Sequence, residues 1–276
     1  MAEAAGEASE PVLRFENVTV CFDDVHALQN VSFDAARSES RVILGAAGSG
    51  KTILLKTAMG LIKPTSGTVY AFGRDLTTLK ERELFEIRSR IGMLFQESAL
   101  FDSLTIEENV AYPLLNQQSL KTPKDQVHPK VAQALEFVEL GGTLEKFPSE
   151  LSGGMRRRAA IARAVVTEPP LQMYDSPTAG LDPITAHTIM ALLIKERDVS
   201  QATTLMVTHR YQDGNLMANF RYNSEQGSLE PARNGSKEVK TTFMVMKEGR
   251  LIFEGDQDQL EASKDPYINK FVKRRV

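Results

Sequence analysis

GAAGSGKT, residues 45–52, stands between a short apolar run, RVILG (41–45), and KTILLKTAMGLI (51–62). In the second run Ile53, Leu54, Thr57 and Ala58 recur at helical spacing. A strand that breaks into glycine and re-forms as a helix is the context in which this pattern carries meaning. Gly45, Gly48 and Gly50 let the backbone fold tightly, so that its N–H groups, with those of Ser49 and its neighbours, face one centre. The helix that starts there adds the partial positive charge of its N-terminus. Lys51 is placed to reach β- and γ-phosphates, and the Thr52 hydroxyl to ligate magnesium. The stretch therefore reads as a phosphate-binding loop of the Walker A type.

The runs around it supply a sheet. VLRFENVTVCF (12–22) alternates apolar and polar residues in two stretches, as a half-buried strand does. GTVYAFG (67–73) follows a turn marked by Pro64 and Gly67. IGMLFQ (91–96), LQMY (171–174) and TTLMVT (203–208) are continuous apolar runs, expected of strands covered on both faces. TTFMVMKEGRLIFEG (241–255) reads as a hairpin turning at Lys247–Gly249. Residues 97–150 are charged, helical in pattern and dotted with proline, and Thr105 with Glu108 has capping-box spacing. Residues 219–238 are polar and rich in turn formers, and read as a solvated loop. MAEAAGEASEP (1–11) reads as a disordered tail. No internal repeat is visible.

Composition excludes several classes. The net charge of -3 gives no general basic field, so no nucleic-acid partner is expected. The single Cys21 cannot form an internal disulfide, which fits a reducing compartment. No apolar run approaches the ~18 residues that span a bilayer, and the first residues lack a signal peptide's basic start and apolar centre. A cytoplasmic protein is expected, and any membrane it works on must be crossed by another chain.

Two further stretches carry chemistry. In LQMYDSPTAGLDP (171–183) the strand ends on Asp175, where a carboxylate can hold magnesium. In ELSGGMRRRAAIARAVV (150–166), Ser152, Gly153 and Gly154 precede a helix and form a second anion site. One chain already has a phosphate loop, so the second site points to completing the pocket of another copy. Arg156, Arg157 and Arg158 read as a solvated helix face.

Taken in order, the Walker A loop, Gln96 after a strand, LSGGM (151–155), YDSPTAGLDP (174–183) and His209 after a buried strand resemble an ABC transporter ATPase from about residue 12 to 260. GMLFQESALFDSLTIEENVAYPL (92–114) with LSGGM more narrowly resembles the ATPase subunits of Mla/Mce-type lipid transporters. The resemblance implies an α/β fold: a P-loop (RecA-like) core with an antiparallel β subdomain and an inserted helical subdomain at about 97–158, with 261–276 as a C-terminal tail. It implies ATP and Mg2+, the metal held by Thr52, Gln96 and Asp175. By the same resemblance Phe22 stacks on adenine, Gln96 contacts magnesium and the attacking water, Asp182 communicates across a homodimer, and His209 contacts the γ-phosphate. It further implies an integral membrane permease docking near 97–114, an Mce-domain lipid-binding component, and a place on the cytoplasmic face of the inner membrane.

Two features depart from that family. One is the apparent insertion at 219–238. The other is Ser176, which stands where the catalytic glutamate usually does. A serine cannot serve as a carboxylate base at neutral pH, and loss of general-base help typically costs ~10²–10⁴-fold. Phosphoryl transfer rests mostly on positioning and charge stabilisation, so firm ATP binding with slow hydrolysis is expected. Glu97, beside Gln96, is a compensating carboxylate on sequence position only. The competing reading is an ATP-gated dimerising clamp with little turnover. An ABC ATPase of DNA repair or translation is disfavoured, since the chain has no long coiled-coil insertion, no second ATPase domain and no basic character.

Overall fold

The computed structural model describes residues 10–117, 122–232 and 240–272. The chain opens with strands β1 (Leu13–Phe22) and β2 (Val25–Ala35), then β3 (Ser40–Leu44), helix α1 (Lys51–Ala58), β4 (Ser66–Ala71) and β5 (Arg74–Asp75). Next come α2 (Glu81–Arg88), β6 (Ile91–Leu94), α3 (Ile106–Asn116), α4 (Lys124–Phe137), α5 (Gly153–Val165), β7 (Leu171–Asp175), α6 (Pro183–Ser200) and β8 (Thr203–Thr208). The last part holds α7 (Tyr211–Asn219), β9 (Phe220–Asn223), β10 (Ser228–Pro231), β11 (Thr241–Lys247), β12 (Arg250–Gly255), α8 (Gln257–Glu261) and α9 (Pro266–Val272).

The central sheet runs β12-β11-β3-β8-β7-β6, with β11, β3, β8, β7 and β6 parallel and β12 antiparallel at the edge. Its strands are apolar throughout because both faces are covered. Val42 and Leu44 enter the core beneath the helices α3 to α7, while Ile43 between them enters the core shared with α1, α2 and the second sheet. That second sheet, β2-β1-β4-β5, is antiparallel and half-buried, which explains the alternation seen in residues 12–22. Thr105 does cap α3: its side chain accepts from Glu108 N–H while Glu108 bonds back to Thr105 N–H at 2.7 Å. The expected hairpin of β11 and β12 turns through Glu248 and Gly249, both at positive φ. The fold is an α/β core: a largely parallel six-stranded sheet covered by helices, joined to a smaller antiparallel sheet.

Two readings need correction. Residues 219–232 are no loop: β9 and β10 form an antiparallel hairpin. Its Phe220 and Leu229 pack against the main core, Arg197 donates to Phe220 O at 2.8 Å, and Tyr222 N–H donates to the Asp198 carboxylate at 2.8 Å. Turn-forming residues at 223–227 hid two short strands whose apolar members are few. The remainder of that expected loop, 233–239, lies outside the described residues, as do 1–9 of the expected N-terminal tail. The supposed C-terminal tail is also ordered in part. Helix α9 buries Ile268 and Val272, and seven residues were too short to announce a period.

Candidate nucleotide-binding site

The site forms at the carboxyl ends of β3, β7 and β8, where an open parallel sheet places its ligands. A cavity of about 1570 Å³ lies there, bordered by the loop between β3 and α1, by Gln96, Asp175, Ser176 and His209, and by α9. A smaller cavity of about 640 Å³ sits at the other end of the strands, near Ser38, Pro170 and Thr203, and has no phosphate loop.

The loop needs its glycines for different reasons. A Cβ on Gly45 would stand 2.7 Å from Met246 O, and one on Gly50, at φ 100°, would stand 2.5 Å from Ala27 O. Backbone atoms cannot yield, so both positions require glycine. Lys51 is only 8% exposed. Its ammonium donates to Gly45 O and Ala46 O at 2.8 Å each and to Ser49 Oγ at 3.3 Å. Burial pushes its pKa down, against the opposing pull of Asp175. The lysine is thus held beneath the loop by carbonyls that a phosphate can replace.

At the foot of the loop Thr52 Oγ1 donates to Asp175 Oδ2 at 2.8 Å, and Ser176 Oγ donates to Asp175 Oδ1 at 3.2 Å. Asp175 is buried. A hydroxyl from the first turn of α1 and a carboxylate from the end of β7 converge here, and with the Gln96 amide on the same cavity they form an oxygen donor set suited to magnesium. Ser176 sits at φ 49° and donates its N–H to Val207 O at 2.8 Å, which locks the strand end to β8. Its hydroxyl is buried and directed at Asp175.

Several contributors escaped sequence reading. Arg157 is no solvated arginine: it is 6% exposed and donates to Phe95 O at 3.1 Å and Ala179 O at 3.5 Å. It therefore ties the segment carrying Gln96 to the segment after Ser176. Asp213 plays the same part between β7 and β8. Its Oδ2 accepts from Thr178 Oγ1 at 2.7 Å and Thr208 Oγ1 at 2.8 Å. Burial raises its pKa despite those bonds and the nearby Arg210 and His209. Finally, Tyr267 of α9 accepts from Ala46 N–H at 3.1 Å and donates to Met246 O at 3.1 Å, bracing the phosphate loop from outside. A helix-face arginine, a lone aspartate and a tyrosine in an unperiodic segment carry no motif, so only the fold reveals them.

Other expected residues are not on this cavity. Ser152 caps α5 through Met155 N–H at 3.2 Å and is exposed with Gly153. Asp182 caps α6 through Ile184 and Thr185 N–H at 3.1 and 3.0 Å. These two helix starts adjoin, since a Cβ on Gly154 would stand 2.7 Å from Thr185 Cγ2. Together they make an exposed face separate from the chain's own phosphate loop. Phe22 pairs with Val25 at the β1–β2 turn and is 46% exposed; Asp24, Val25 and His26 line the cavity and Phe22 does not. Glu97 is exposed and does not line it either.

Fold and site define an ATP-binding cassette, and the chain belongs to the ABC transporter family, whose model matches residues 28–179. It is the ATP-binding subunit type of that family, which hydrolyses ATP. Among curated proteins it is 32% identical to the intermembrane phospholipid transport ATP-binding protein MlaF of Haemophilus influenzae, over 96% of this chain and 91% of that one. It is 31% identical to the "probable ribonucleotide transport ATP-binding protein mkl" of Mycobacterium leprae, over 100% and 73%. The methionine import protein MetN of Bifidobacterium longum is 32% identical over 96% and 62%. Among solved structures, the dimeric cassette MJ0796 bound to ADP and Pi superposes with TM-score 0.74 at 29% identity, over 88% and 98% of the two chains. CbiO1 of Clostridium perfringens gives 0.76 at 27% identity, over 97% and 96%.

Proposed function

We propose that this chain powers the movement of lipid or another hydrophobic substrate through a separate membrane permease, as a homodimer on the cytoplasmic face of the inner membrane. The observation that carries the dimer is the separation of the two anion sites. Ser152, Gly153, Gly154 and Asp182 occupy an exposed face, and a second copy can bring that face onto the phosphates held at Lys51. The similarity to MlaF over nearly the full length of both chains supports the lipid substrate, and an Mce-domain component rests on the motif resemblance of residues 92–114 and LSGGM. No helix among the described residues is long and apolar enough to cross a membrane, and in this reading a separate permease supplies the membrane path.

The helices between about 97 and 158 form the docking subdomain in this reading. Phe101 and Tyr112 are each 42% exposed with ring centroids 4.8 Å apart, beside the exposed Leu115. An apolar surface of this kind, attached through Phe95 and Arg157 to Gln96, can relay permease movement to the site. Co-purification with a permease, and a turnover that this permease changes, tests the assignment. A chain that binds no polytopic membrane protein and ignores lipid-bearing permease vesicles refutes it.

In the mechanism, the phosphate loop and Lys51 bind the triphosphate, and Thr52, Asp175 and Gln96 would hold the metal. A magnesium ion bound there would supply charge that neutralises the phosphates. Gln96 orients the attacking water, and His209 contacts the γ-phosphate. Ser176 offers that water only a hydroxyl already directed at Asp175, and accepts no proton at neutral pH. Binding and dimer closure are therefore strong and the chemical step slow. Ser176 equally favours the clamp reading, in which closure is the output; sustained turnover in the assembled complex that Lys51→Ala abolishes excludes it.

A further inference from the structure

We propose that Arg210 is a second cation for the terminal phosphate, reaching it from the β8 side of the cavity and stabilising the charge that builds during hydrolysis. The proposal rests on the nucleotide reading above.

Arg210 immediately follows His209 at the carboxyl end of β8. Its N–H donates to Thr208 Oγ1 at 3.0 Å, which fixes the turn into α7. The side chain lines the same cavity as Lys51, Asp175, Ser176 and His209 and is about one-third exposed. Its acidic neighbour is Asp213, with Oδ1 3.8 Å from Nε, beyond hydrogen-bond length. The other Asp213 oxygen is committed to the Thr178 and Thr208 hydroxyls. Among the described residues the guanidinium makes no hydrogen bond, unlike Lys51, which makes three.

A planar guanidinium has five donors in a fork that matches phosphate oxygens. Held at the mouth of a phosphate cavity with those donors unspent, it has the chemistry to bind one. Charge matters here more than in a site with a general base. The transition state of phosphoryl transfer spreads negative charge over the equatorial oxygens, and an arginine in place is worth up to ~10³–10⁵-fold. Ser176 supplies no carboxylate, so it neither repels that charge nor neutralises Arg210. Stabilisation by Arg210 gives the slow site a route to turnover that needs no added base.

The test compares ATP with ADP on the purified full chain, with magnesium, by calorimetry. Arg210→Ala is expected to weaken ATP about tenfold and ADP less than about twofold, and Arg210→Lys to recover part of the ATP loss; the tenfold figure corresponds to one charged contact of ~1.4 kcal/mol. Single-turnover hydrolysis at saturating ATP is expected to fall by ~10²-fold or more in Arg210→Ala. Equal losses for the two nucleotides would mean that Arg210 acts only through Asp213 and the loop, and no loss would mean no contact; either overturns the proposal. If Arg210→Ala does not fold, Arg210→Gln keeps the stem and removes the charge for the same comparison. Lys51→Ala separates the two levels of argument. If it leaves both nucleotides bound, the site reading itself fails. If it abolishes binding while Arg210→Ala keeps the native ATP:ADP ratio, the Arg210 proposal alone fails.

Discussion

The phosphate loop and the water side of the same cavity differ in how far the protein has completed them. Lys51 has three partners and lies buried, Gly45 and Gly50 are hemmed by backbone, and Tyr267 braces Ala46 from outside. Opposite it, Gln96 and His209 are exposed, Ser176 is turned onto Asp175, and Ser152 and Asp182 face away. The first region is preorganised in one chain. The second presents Ser176 where a base is expected and, in the proposed dimer, is completed by another copy. Binding and turnover should therefore separate cleanly in variants.

Lys51→Ala should erase the difference by destroying the completed half. It loses a charge-assisted phosphate contact, so turnover should fall by more than ~10²-fold and ATP affinity with it. Equilibrium binding with a fluorescent ATP analogue checks this, and native affinity contradicts the assignment. Ser152→Arg should break only the incomplete half. Its bulk blocks the closed dimer and steady-state hydrolysis, while the monomer keeps its ATP affinity; size exclusion with ATP bound reads the first and calorimetry the second. An affinity lost with the dimer, in a folded variant, would place Ser152 in its own chain's pocket.

Arg157→Met sharpens the comparison at the hinge between the halves. It leaves the Phe95 and Ala179 carbonyls without their donor, and stability should drop by ~1–3 kcal/mol in urea denaturation. A midpoint unchanged from the native chain would mean that the arginine joins nothing. The smallest effect is expected at Asp213. Its folded pKa is raised by burial, so the folded state binds the proton more readily than the unfolded chain. The cost of holding it charged is absent below the unfolded aspartate pKa and grows as pH rises through the folded value. Asp213→Asn should therefore gain melting temperature over the native chain on going from acid to neutral pH. Parallel pH profiles of the two proteins would contradict this.

The parts of the site that the sequence displayed are those whose chemistry demands a particular residue at a fixed offset. Glycine is required at 45 and 50 by backbone clashes, and Asp175 must end a buried strand, so both were legible. So was the six-stranded sheet's apolar core, because burial on both faces leaves continuous runs. Legibility failed where tertiary packing chose the residue. The 220–231 hairpin is held by Arg197 and Asp198 from α6 rather than by its own pattern. Helix α9 is fastened by Tyr267 to the phosphate loop, and Arg157 looked like one of three equivalent surface arginines. Phe22 shows the reverse limit: the resemblance placed an aromatic at the adenine, and the structure leaves it off the cavity beside the residues that line it.

In the proposed function this cavity binds ATP well and performs the chemical step slowly because Ser176 stands in place of a base. Single-turnover hydrolysis by the assembled native and Ser176→Glu complexes tests it most directly, with magnesium saturating and ATP occupancy matched. Both residues carry a Cβ, so the φ of 49° disfavours both; the substitution adds the carboxylate and removes the hydroxyl bond to Asp175. The expected result is a slow native step that the glutamate accelerates, up to the ~10²–10⁴-fold worth of a general base. A fast native step that the glutamate leaves unchanged or slows would contradict it.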